Sequence, residues 1–311
     1  MRQVKGAQVI CATCIGSGAD ILSKLRLPCV LVDEATQATE AATLVPLCRG
    51  AEQLVMLGDQ CQLPPTVVSR HPTALAASSP LFNRLISDGA APLLLDCQYR
   101  MHPAIAMLPC DLVYGGRLQT GVDGADRPAP PGFDWPRRDW PVALVPVLHG
   151  QESTEGVSKL NRTEAEATAR VVDGLLRAGV KPSEIGVISP YGAQVRVLRS
   201  LLRSGARDPN SVEVSSVDGF QGREKEVIVF SCVRANAGGA LGFLADARRL
   251  NVAFTRARCG LIVLGNPSTL GREEGTAWWH WLRWARAHGL VCGERPWGEY
   301  DARATRGASN A

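Results

Sequence analysis

The stretch CVLVDEATQATE (residues 29–40) begins as an apolar strand and then turns acidic at Asp33 and Glu34. Cys29 to Val32 suit the interior of a parallel sheet, whose strands are near-continuous apolar runs. Ligands of open parallel sheets bind beyond the carboxyl ends of the strands. One carboxylate there can hold Mg²⁺, and a second can orient or deprotonate a water molecule. Taken alone, a solvated acidic pair at a strand end is the simpler interpretation.

The same alternation of apolar strand and helix recurs along the chain. Strands are predicted at residues 8–13, 29–34, 53–59, 93–100, 142–148, 184–190, 211–217, 226–233 and 259–266. The clearest helix spans residues 161–179, where Asn161 can cap it, Glu164 sits three residues on and Gly179 can end it. This alternation predicts an α/β protein whose parallel sheets are covered by helices on both faces.

Composition limits the classes of protein. The chain has 311 residues, 45% of them hydrophobic, and a net charge of +4, which permits an anionic partner without requiring one. No apolar segment of the sequence approaches the roughly 18 residues of a membrane span. Residues 1–10 also lack the apolar core of a signal peptide. No membrane partner is therefore expected. The ten cysteines predict reduced, buried thiols, with structural thiols favoured over zinc at Cys11 and Cys14.

Four further segments combine strands with polar or charged residues. They are QLVMLGDQCQLPPTV (53–67), LLLDCQYRMHP (93–103), SSVDGFQGREKEVIVFSCVRAN (215–236) and ARRLNVAFTRARCGLIVLGNP (247–267). Each has a simpler explanation, because glutamine-rich loops form turns and arginines lie on surfaces. Together with residues 29–40 and in this order, the segments have no comparable simple explanation.

This order of motifs resembles superfamily 1 helicases of the nonsense-mediated mRNA decay (regulator of nonsense transcripts) type, from about Gln8 to Pro267. The form GDQCQLPP is closer to the broader group with the senataxin-like and immunoglobulin mu-binding helicases, so the exact subfamily stays open. DEAD-box helicases fit less well, because their Ser-Ala-Thr motif and their arginine-rich final motif are absent.

The resemblance implies two RecA-like domains of the P-loop NTPase type, with ATP in the cleft between them. Residues 1–91 would be the C-terminal part of the first domain, residues 92–297 a complete second domain, and residues 298–311 a disordered tail. No P-loop pattern, G-x-x-x-x-G-K-[ST], occurs in the sequence. The chain is therefore expected to begin inside the first domain.

The resemblance also assigns roles to single residues. In the first domain Asp33 would hold Mg²⁺, Glu34 would position the hydrolytic water, and Gln62 would sense the γ-phosphate. In the second domain Tyr99 would stack on adenine, Arg100 would reach the γ-phosphate, Gly222 and Glu224 would lie against the nucleotide, with Glu224 at the ribose, and Arg256 would be the arginine finger.

Nucleic-acid contacts are implied at Thr13, Pro190 and Ser216. The cluster WWHWLRWA (278–285) suggests base stacking at first sight. Its residues Trp278, Trp281, Leu282 and Ala285 share one helical face, however, which favours a core helix.

The expected function is that of an ATP-dependent RNA helicase, which couples ATP hydrolysis to translocation on single-stranded RNA in mRNA decay. Such a chain would be a cytoplasmic monomer that works with mRNA-decay factors, with the nucleus as the alternative compartment. Two alternatives stay open. One is a DNA or R-loop helicase of the same superfamily, and the other is a truncated, non-catalytic nucleic-acid-binding module. The missing P-loop favours the module for this chain alone, whereas Asp33, Glu34, Arg100 and Arg256 favour an active parent protein.

Overall fold

The computed structural model describes residues 6–67, 71, 78–205 and 212–294. Contacts divide the chain into two compact units, residues 1–94 (the first unit) and 95–311 (the second unit). The predicted tail, residues 298–311, lies outside the described residues.

The first unit is built on a pair of parallel strands, β1 (Cys29–Val32) and β2 (Gln53–Met56). Helix α1 (Glu40–Leu47) connects them, and helix α2 (Leu81–Ser87) packs nearby. Val30, Val32 and Phe82 form a small core on one face of the strands. On the other face Leu31 is 63% exposed and Val55 is 47% exposed.

The second unit contains a five-stranded parallel sheet, whose strands lie in the spatial order Val142–Pro146, Ala257–Gly265, Lys225–Ser231, Ile185–Ile188 and Glu213–Ser215. Its elements, in chain order, are β3 (Cys97–Gln98), α3 (Pro103–Val113), β4 (Gln119–Thr120), β5 (Val142–Pro146), β6 (Ser153–Glu155), β7 (Ser158–Leu160), α4 (Arg162–Arg177), β8 (Ile185–Ile188), α5 (Gly192–Gly205), β9 (Glu213–Ser215), α6 (Val217–Phe220), β10 (Lys225–Ser231), α7 (Ala247–Phe254), β11 (Ala257–Gly265), α8 (Pro267–Leu270) and α9 (Ala277–Ala287).

Helices cover both faces of this sheet. On one face Val172 and Leu175 of α4 and Leu198 of α5 join the strand residues in a single core. On the other face the ring of Phe230 lies 6.1 Å from that of Phe254 and 5.9 Å from that of Trp278. The predicted α/β fold with a parallel sheet between helices is therefore confirmed. So is the core helix, since Trp278 and Trp281 are each only 1% exposed.

Two predicted strands are wrong. Residues 8–13 form no strand, and Val9 in them is 78% exposed. In residues 93–100 only β3 is extended and paired, with β4, while Leu93 is 97% exposed. An apolar run becomes a strand only where a neighbour accepts and donates its backbone hydrogen bonds. Neither run has such a neighbour along its full length in the described residues.

The start of α4 shows a second departure from expectation. Asn161 caps the helix as predicted, because its side chain accepts a hydrogen bond from Glu164 N at 3.1 Å. Glu164 does not complete a capping box. Its Oε1 instead accepts hydrogen bonds from Ser231 Oγ at 2.5 Å and Val233 N at 2.6 Å. Its Oε2 is buried without a hydrogen-bond partner in the described part of the chain. Burial raises the pKa of Glu164 to about 8.

The cysteines are less buried than predicted. All ten are free thiols, but only Cys232 and Cys259 are buried, and Cys11, Cys29 and Cys48 are exposed. Within the described ranges no helix is both long and apolar enough to cross a membrane. Those same residues include no group of three or more His, Cys, Asp or Glu side chains placed to hold a metal ion.

Glu164→Gln is expected to change how stability depends on pH. A carboxyl whose pKa is raised on folding stabilises the native state most below its unfolded pKa, and this stabilisation is lost as pH rises through its folded pKa. The free energy of unfolding of the variant, minus that of the wild type, should therefore rise by at least about 1 kcal/mol between pH 5 and pH 8.5. Urea unfolding at both pH values measures this difference. Glu166→Gln, at an exposed position of the same helix, is the control. A difference for Glu164→Gln that stays constant with pH would contradict the assignment.

Candidate functional site

The acidic pair of the first unit lies at the carboxyl end of β1, as the sequence predicts. Leu57 N donates to Val32 O at 2.9 Å, and Ala35 N donates to Leu57 O at 2.7 Å. These bonds hold the segments that follow β1 and β2 side by side. Asp33 is exposed and Glu34 is half-buried, so both carboxylates are accessible at one edge of the strand pair.

Glu34 is held in an unusual conformation. Its backbone is left-handed, with φ 50° and ψ 41°, which is uncommon for a residue other than glycine. Glu34 N donates to Asp33 Oδ1 at 2.9 Å, and Gln37 Nε2 donates to Glu34 Oε2 at 2.8 Å. Such strained residues persist where the surroundings fix them, and they cluster at functional sites.

The loop after β2 brings Gln62 to the same edge. Gln62 Nε2 donates to Asp59 Oδ2 at 2.9 Å, and Thr36 Oγ1 donates to Asp59 O at 3.2 Å. Gly58 allows this close approach, since a Cβ on it would lie 3.0 Å from Thr36 Cγ2 and 3.1 Å from Thr36 N. The structure thus groups Asp33, Glu34 and Gln62 on segments that hydrogen bonds join.

In the second unit a pocket of about 410 Å³ collects several of the predicted residues. Its lining consists of Gln98, Tyr99, Arg100, Met101, Glu224 and Arg258. Tyr99 is 68% exposed, so a face of its ring is available to a flat ligand. A hydrogen bond with Cys97 raises the pKa of the Tyr99 phenol above its ordinary value.

Arg100 joins three segments at this pocket. Its Nε donates to Glu224 Oε2 at 2.6 Å, and its second guanidinium nitrogen donates to Thr255 O at 3.0 Å. Arg258 Nε lies 3.7 Å from Glu224 Oε1, and another nitrogen of Arg258 pairs with Glu226 at 2.9 Å. Glu224 therefore faces two guanidinium groups, one from each side.

The segment that carries Tyr99 and Arg100 is fixed by two other side chains. Gln98 Oε1 accepts from Arg100 N at 3.0 Å and from Met101 N at 2.8 Å. Arg127 donates to Arg100 O at 3.0 Å and to Tyr99 O at 3.2 Å. The backbone of this short segment is thus held on both its N–H and its C=O groups.

Gly222 and Arg256 lie near this pocket on neighbouring segments. Gly222 is exposed, with φ +74°, a conformation that suits glycine. Arg256 is only 3% exposed, and its guanidinium donates to Val252 O at 2.9 Å and Thr255 Oγ1 at 2.9 Å. To act on a phosphate, Arg256 would have to exchange these bonds.

The pocket lies at the opposite end of the sheet from the one that the carboxyl-end rule predicts. Glu224 precedes β10 and Arg256 precedes β11, and Lys225 N donates to Arg256 O at 3.0 Å. The second unit therefore gathers these residues at the amino ends of its two central strands. The rule describes the acidic pair of the first unit but does not describe this pocket.

The predicted nucleic-acid contacts fall elsewhere in each unit. Thr13 is exposed in the first unit, where its Oγ1 accepts from Gly16 N at 2.9 Å. Pro190 follows β8 and Ser216 follows β9, at the carboxyl ends of adjacent strands of the second unit. Ser216 Oγ also caps α6 by accepting from Gly219 N at 3.2 Å.

Sequence reasoning missed two polar residues of the pocket lining, Arg258 and Gln98, and one residue that supports the lining, Arg127. Arg258 lies two positions after Arg256 and could have been found as the second arginine of the same motif. Gln98 lies inside the quoted segment QYRMHP, but nothing in the sequence shows that it binds backbone amides. Arg127 lies in residues 120–141, a stretch rich in proline and glycine in which no sequence pattern marks it.

The side chains present suit part of a magnesium nucleotide. Carboxylates such as Asp33 are the ligands with which proteins hold Mg²⁺, usually one or two together with substrate phosphates. In the second-unit pocket the exposed Tyr99 ring suits a base, and the Glu224 carboxylate can accept hydrogen bonds from ribose hydroxyls. No Gly-Lys-Ser/Thr element is present for the β- and γ-phosphates.

Family models match both parts of the chain. One model described as an AAA domain matches residues 77–268, and another with the same description matches residues 2–70.

Curated relatives extend the likeness over most of the sequence. The chain is 42% identical over 285 residues to "Regulator of nonsense transcripts 1 homolog" of Drosophila melanogaster, covering 90% of this chain and 24% of that protein. It is 44% identical over 293 residues to "ATP-dependent helicase NAM7" of Saccharomyces cerevisiae, covering 92% of this chain and 30% of that protein. The chain thus spans less than a third of the length of either relative. Among solved structures, "The structure of PRRSV helicase" aligns over 76% of this chain and 34% of that chain at 17% identity, with a TM-score of 0.36.

Gln98→Met is expected to loosen the Tyr99–Arg100 segment. The substitution removes the oxygen that accepts from the amides of Arg100 and Met101, whereas Gln98→Glu keeps an acceptor. Each lost hydrogen bond costs about 1 kcal/mol, so amide exchange at these positions should speed up about tenfold in Gln98→Met. Hydrogen exchange followed by mass spectrometry, with β10 as internal reference, measures this. Equal exchange in the two variants would contradict the role given to Gln98.

Proposed function

We propose that this chain is the motor portion of an ATP-dependent RNA helicase. It belongs to the AAA domain family and is a relative of the regulator of nonsense transcripts 1 helicases. The observation that carries the proposal is the grouping of Tyr99, Arg100, Glu224 and Arg258 around one pocket. These residues come from three separate sequence motifs. Packing of an apolar core does not explain why charged and aromatic side chains from all three meet at one pocket.

The first unit would supply the groups that act on metal and water. Asp33 would hold Mg²⁺, which neutralises phosphate charge when bound. Glu34 would orient the attacking water through its carboxylate, one oxygen of which already accepts from Gln37. Gln62, held by Asp59, would contact the γ-phosphate.

The second unit would supply the groups that act on base, ribose and developing charge. Tyr99 would stack on adenine, and Glu224, with Gly222 beside it, would accept from the ribose. Arg100 and Arg256 would approach phosphate oxygens, where an arginine finger contributes roughly 10³ to 10⁵ in rate. Both guanidinium groups now bind protein oxygens. Phosphate would have to compete with those oxygens, which would couple nucleotide binding to rearrangement of this pocket.

Translocation would follow from contacts with single-stranded RNA at Thr13, Pro190 and Ser216. A relative named as a regulator of nonsense transcripts supports a role in mRNA decay. That role would lie in the cytoplasm, with the nucleus as the alternative compartment, and would involve mRNA-decay factors as partners. A DNA or R-loop helicase is the alternative within the same superfamily.

One observation favours a second candidate for the chain on its own. The sequence contains no P-loop pattern, so the chain would lack the backbone cradle and lysine that bind the β- and γ-phosphates. Losing several charge-assisted bonds of about 1.5–3 kcal/mol each should weaken ATP binding by orders of magnitude. The isolated chain would then act as a nucleic-acid-binding module without ATPase activity.

Glu34→Gln tests the hydrolytic role in a protein where a P-loop segment precedes this chain. The substitution keeps the shape of the side chain and removes its charge, so ATP and RNA should still bind. Hydrolysis should fall by about 10²-fold or more, as expected for loss of a general base. Steady-state ATPase and nucleotide-binding assays check both effects. Glu52→Gln, which alters the exposed Arg26–Glu52 pair, is the control. Near-wild-type turnover by Glu34→Gln would show that Glu34 does not have this role.

A further inference from the structure

The carboxyl end of the second-unit sheet carries an aromatic ring on its surface. Phe243 lies in the short 3₁₀ turn Gly242–Ala245 and is 50% exposed, whereas the next residue, Leu244, is buried. The ring centroid of Tyr191 lies 5.5 Å from that of Phe243, and the guanidinium carbon of Arg249 lies 5.1 Å from it. An aromatic ring in such surroundings, half open to solvent, offers a flat surface to a ligand.

Hydrogen bonds from buried side chains hold the turn that carries Phe243. Phe243 N donates to Tyr191 Oη at 3.3 Å, and Arg234 donates to the same oxygen at 3.2 Å. Gly242 has φ +58°, and a Cβ on it would lie 2.1 Å from a guanidinium nitrogen of Arg234 and 2.8 Å from Tyr191 Oη. The turn that presents Phe243 therefore needs a glycine at this position.

The support continues into the core. Arg234 is 6% exposed and donates to Glu152 Oε2 at 2.8 Å. It follows Val233, whose φ of +70° is a genuine outlier for a β-branched residue. Glu164 accepts from Val233 N at 2.6 Å, and Asn161 donates to Val233 O at 3.3 Å. A buried polar network thus holds a strained residue where it positions Arg234 under the turn.

The location of Phe243 matches the nucleic-acid side of the second unit. Pro190 immediately precedes Tyr191, and Ser189 N donates to Ser215 O at 3.2 Å, which brings the segment of Ser216 alongside. Phe243 therefore sits at the same edge of the sheet as both residues proposed to contact RNA.

The charge beside Phe243 also suits a nucleic acid. Arg248 is paired with Asp246, with both oxygens of that carboxylate accepting at 3.0 Å. Arg249 has no carboxylate within 4.0 Å among the residues that the structure describes. Asp246 is near enough to interact electrostatically with Arg249, but no ion pair within 4.0 Å holds the Arg249 guanidinium in the described residues, so it can approach a phosphate group outside the protein.

We propose that Phe243 and Arg249 form a stacking site for one base of single-stranded nucleic acid, with Arg249 also attracting the adjoining phosphate. The proposal rests on the proposed function, because it adds a contact to the path of Pro190 and Ser216. Proteins that track single strands combine aromatic platforms with basic groups in this way, and every base has a face that can stack.

The chain offers a matched control for this chemistry. The guanidinium carbon of Arg137 lies 4.6 Å from the ring centroid of the half-buried Trp140, the same pairing of a cation with an aromatic ring. Trp140 lies two residues before β5, at the amino end of the sheet and so away from the edge that carries Pro190 and Ser216. Trp140→Ala should therefore leave nucleic-acid affinity unchanged.

The test compares Phe243→Ala, Phe243→Trp and Trp140→Ala in the full chain. Fluorescence anisotropy gives the affinity for a labelled oligouridylate and for an abasic oligonucleotide of the same length, and circular dichroism verifies folding. Phe243→Ala should weaken binding of the oligouridylate about tenfold, the size of a lost stacking contact. It should leave binding of the abasic strand unchanged, and Phe243→Trp should restore affinity. Arg249→Ala should lower the salt dependence of binding by about one counterion.

The other outcomes are distinct. If wild type binds oligouridylate and Phe243→Ala binds it equally well, the stacking site is wrong and the proposed function stands. Equal weakening for intact and abasic strands, or in Trp140→Ala as well, would also overturn the stacking site. If wild type binds no single strand, both the stacking site and the proposed nucleic-acid path are wrong.

Discussion

The guanidinium of Arg100 is the interaction on which the candidate site of the second unit depends. It binds the Glu224 carboxylate at 2.6 Å and the Thr255 carbonyl at 3.0 Å, and so ties together segments more than 100 residues apart in sequence. Charge-assisted hydrogen bonds of this kind are about twice as strong as neutral ones. The pair is partly exposed, so its value lies less in net stability than in fixing geometry. Tyr99, Glu224 and Arg258 meet at one pocket because this contact joins the segments that carry them.

The sheet of the second unit could be predicted from the sequence because its strands are buried on both faces. Runs such as residues 226–233 have continuous apolar character, and β10 forms there with only a shift of its ends. The same signal failed at residues 8–13 and 93–100, since apolar character does not specify a hydrogen-bond partner. The prediction that Glu164 completes a capping box was wrong for a related reason. Its spacing from Asn161 is local, but Ser231 and Val233, which capture its carboxylate, are more than 60 residues away.

Some residues of the candidate site could likewise be placed from the sequence, and others could not. Asp33 and Glu34 could be placed from sequence, because a carboxylate that follows a buried strand must lie at the strand's end. Gln98 and Arg127 could not be found, because they bind backbone atoms that only the folded chain brings near. For Arg256 the sequence predicted the position in the fold but not the burial of the side chain. Its place before β11 was clear, yet its burial against Val252 and Thr255 is set by packing of α7. Its proposed role as an arginine finger therefore requires it to give up bonds that the structure now contains.

The most direct test of the account is the RNA-stimulated ATPase rate in three proteins. They are this chain alone, the chain preceded by a P-loop segment, and that longer protein with Arg256→Ala, with Arg177→Ala on the exposed face of α4 as control. The account predicts no hydrolysis by the chain alone and RNA-stimulated hydrolysis by the longer protein and its control. Arg256→Ala should reduce that rate by roughly 10³-fold or more. Hydrolysis by the chain alone, or an undiminished rate in Arg256→Ala, would contradict it.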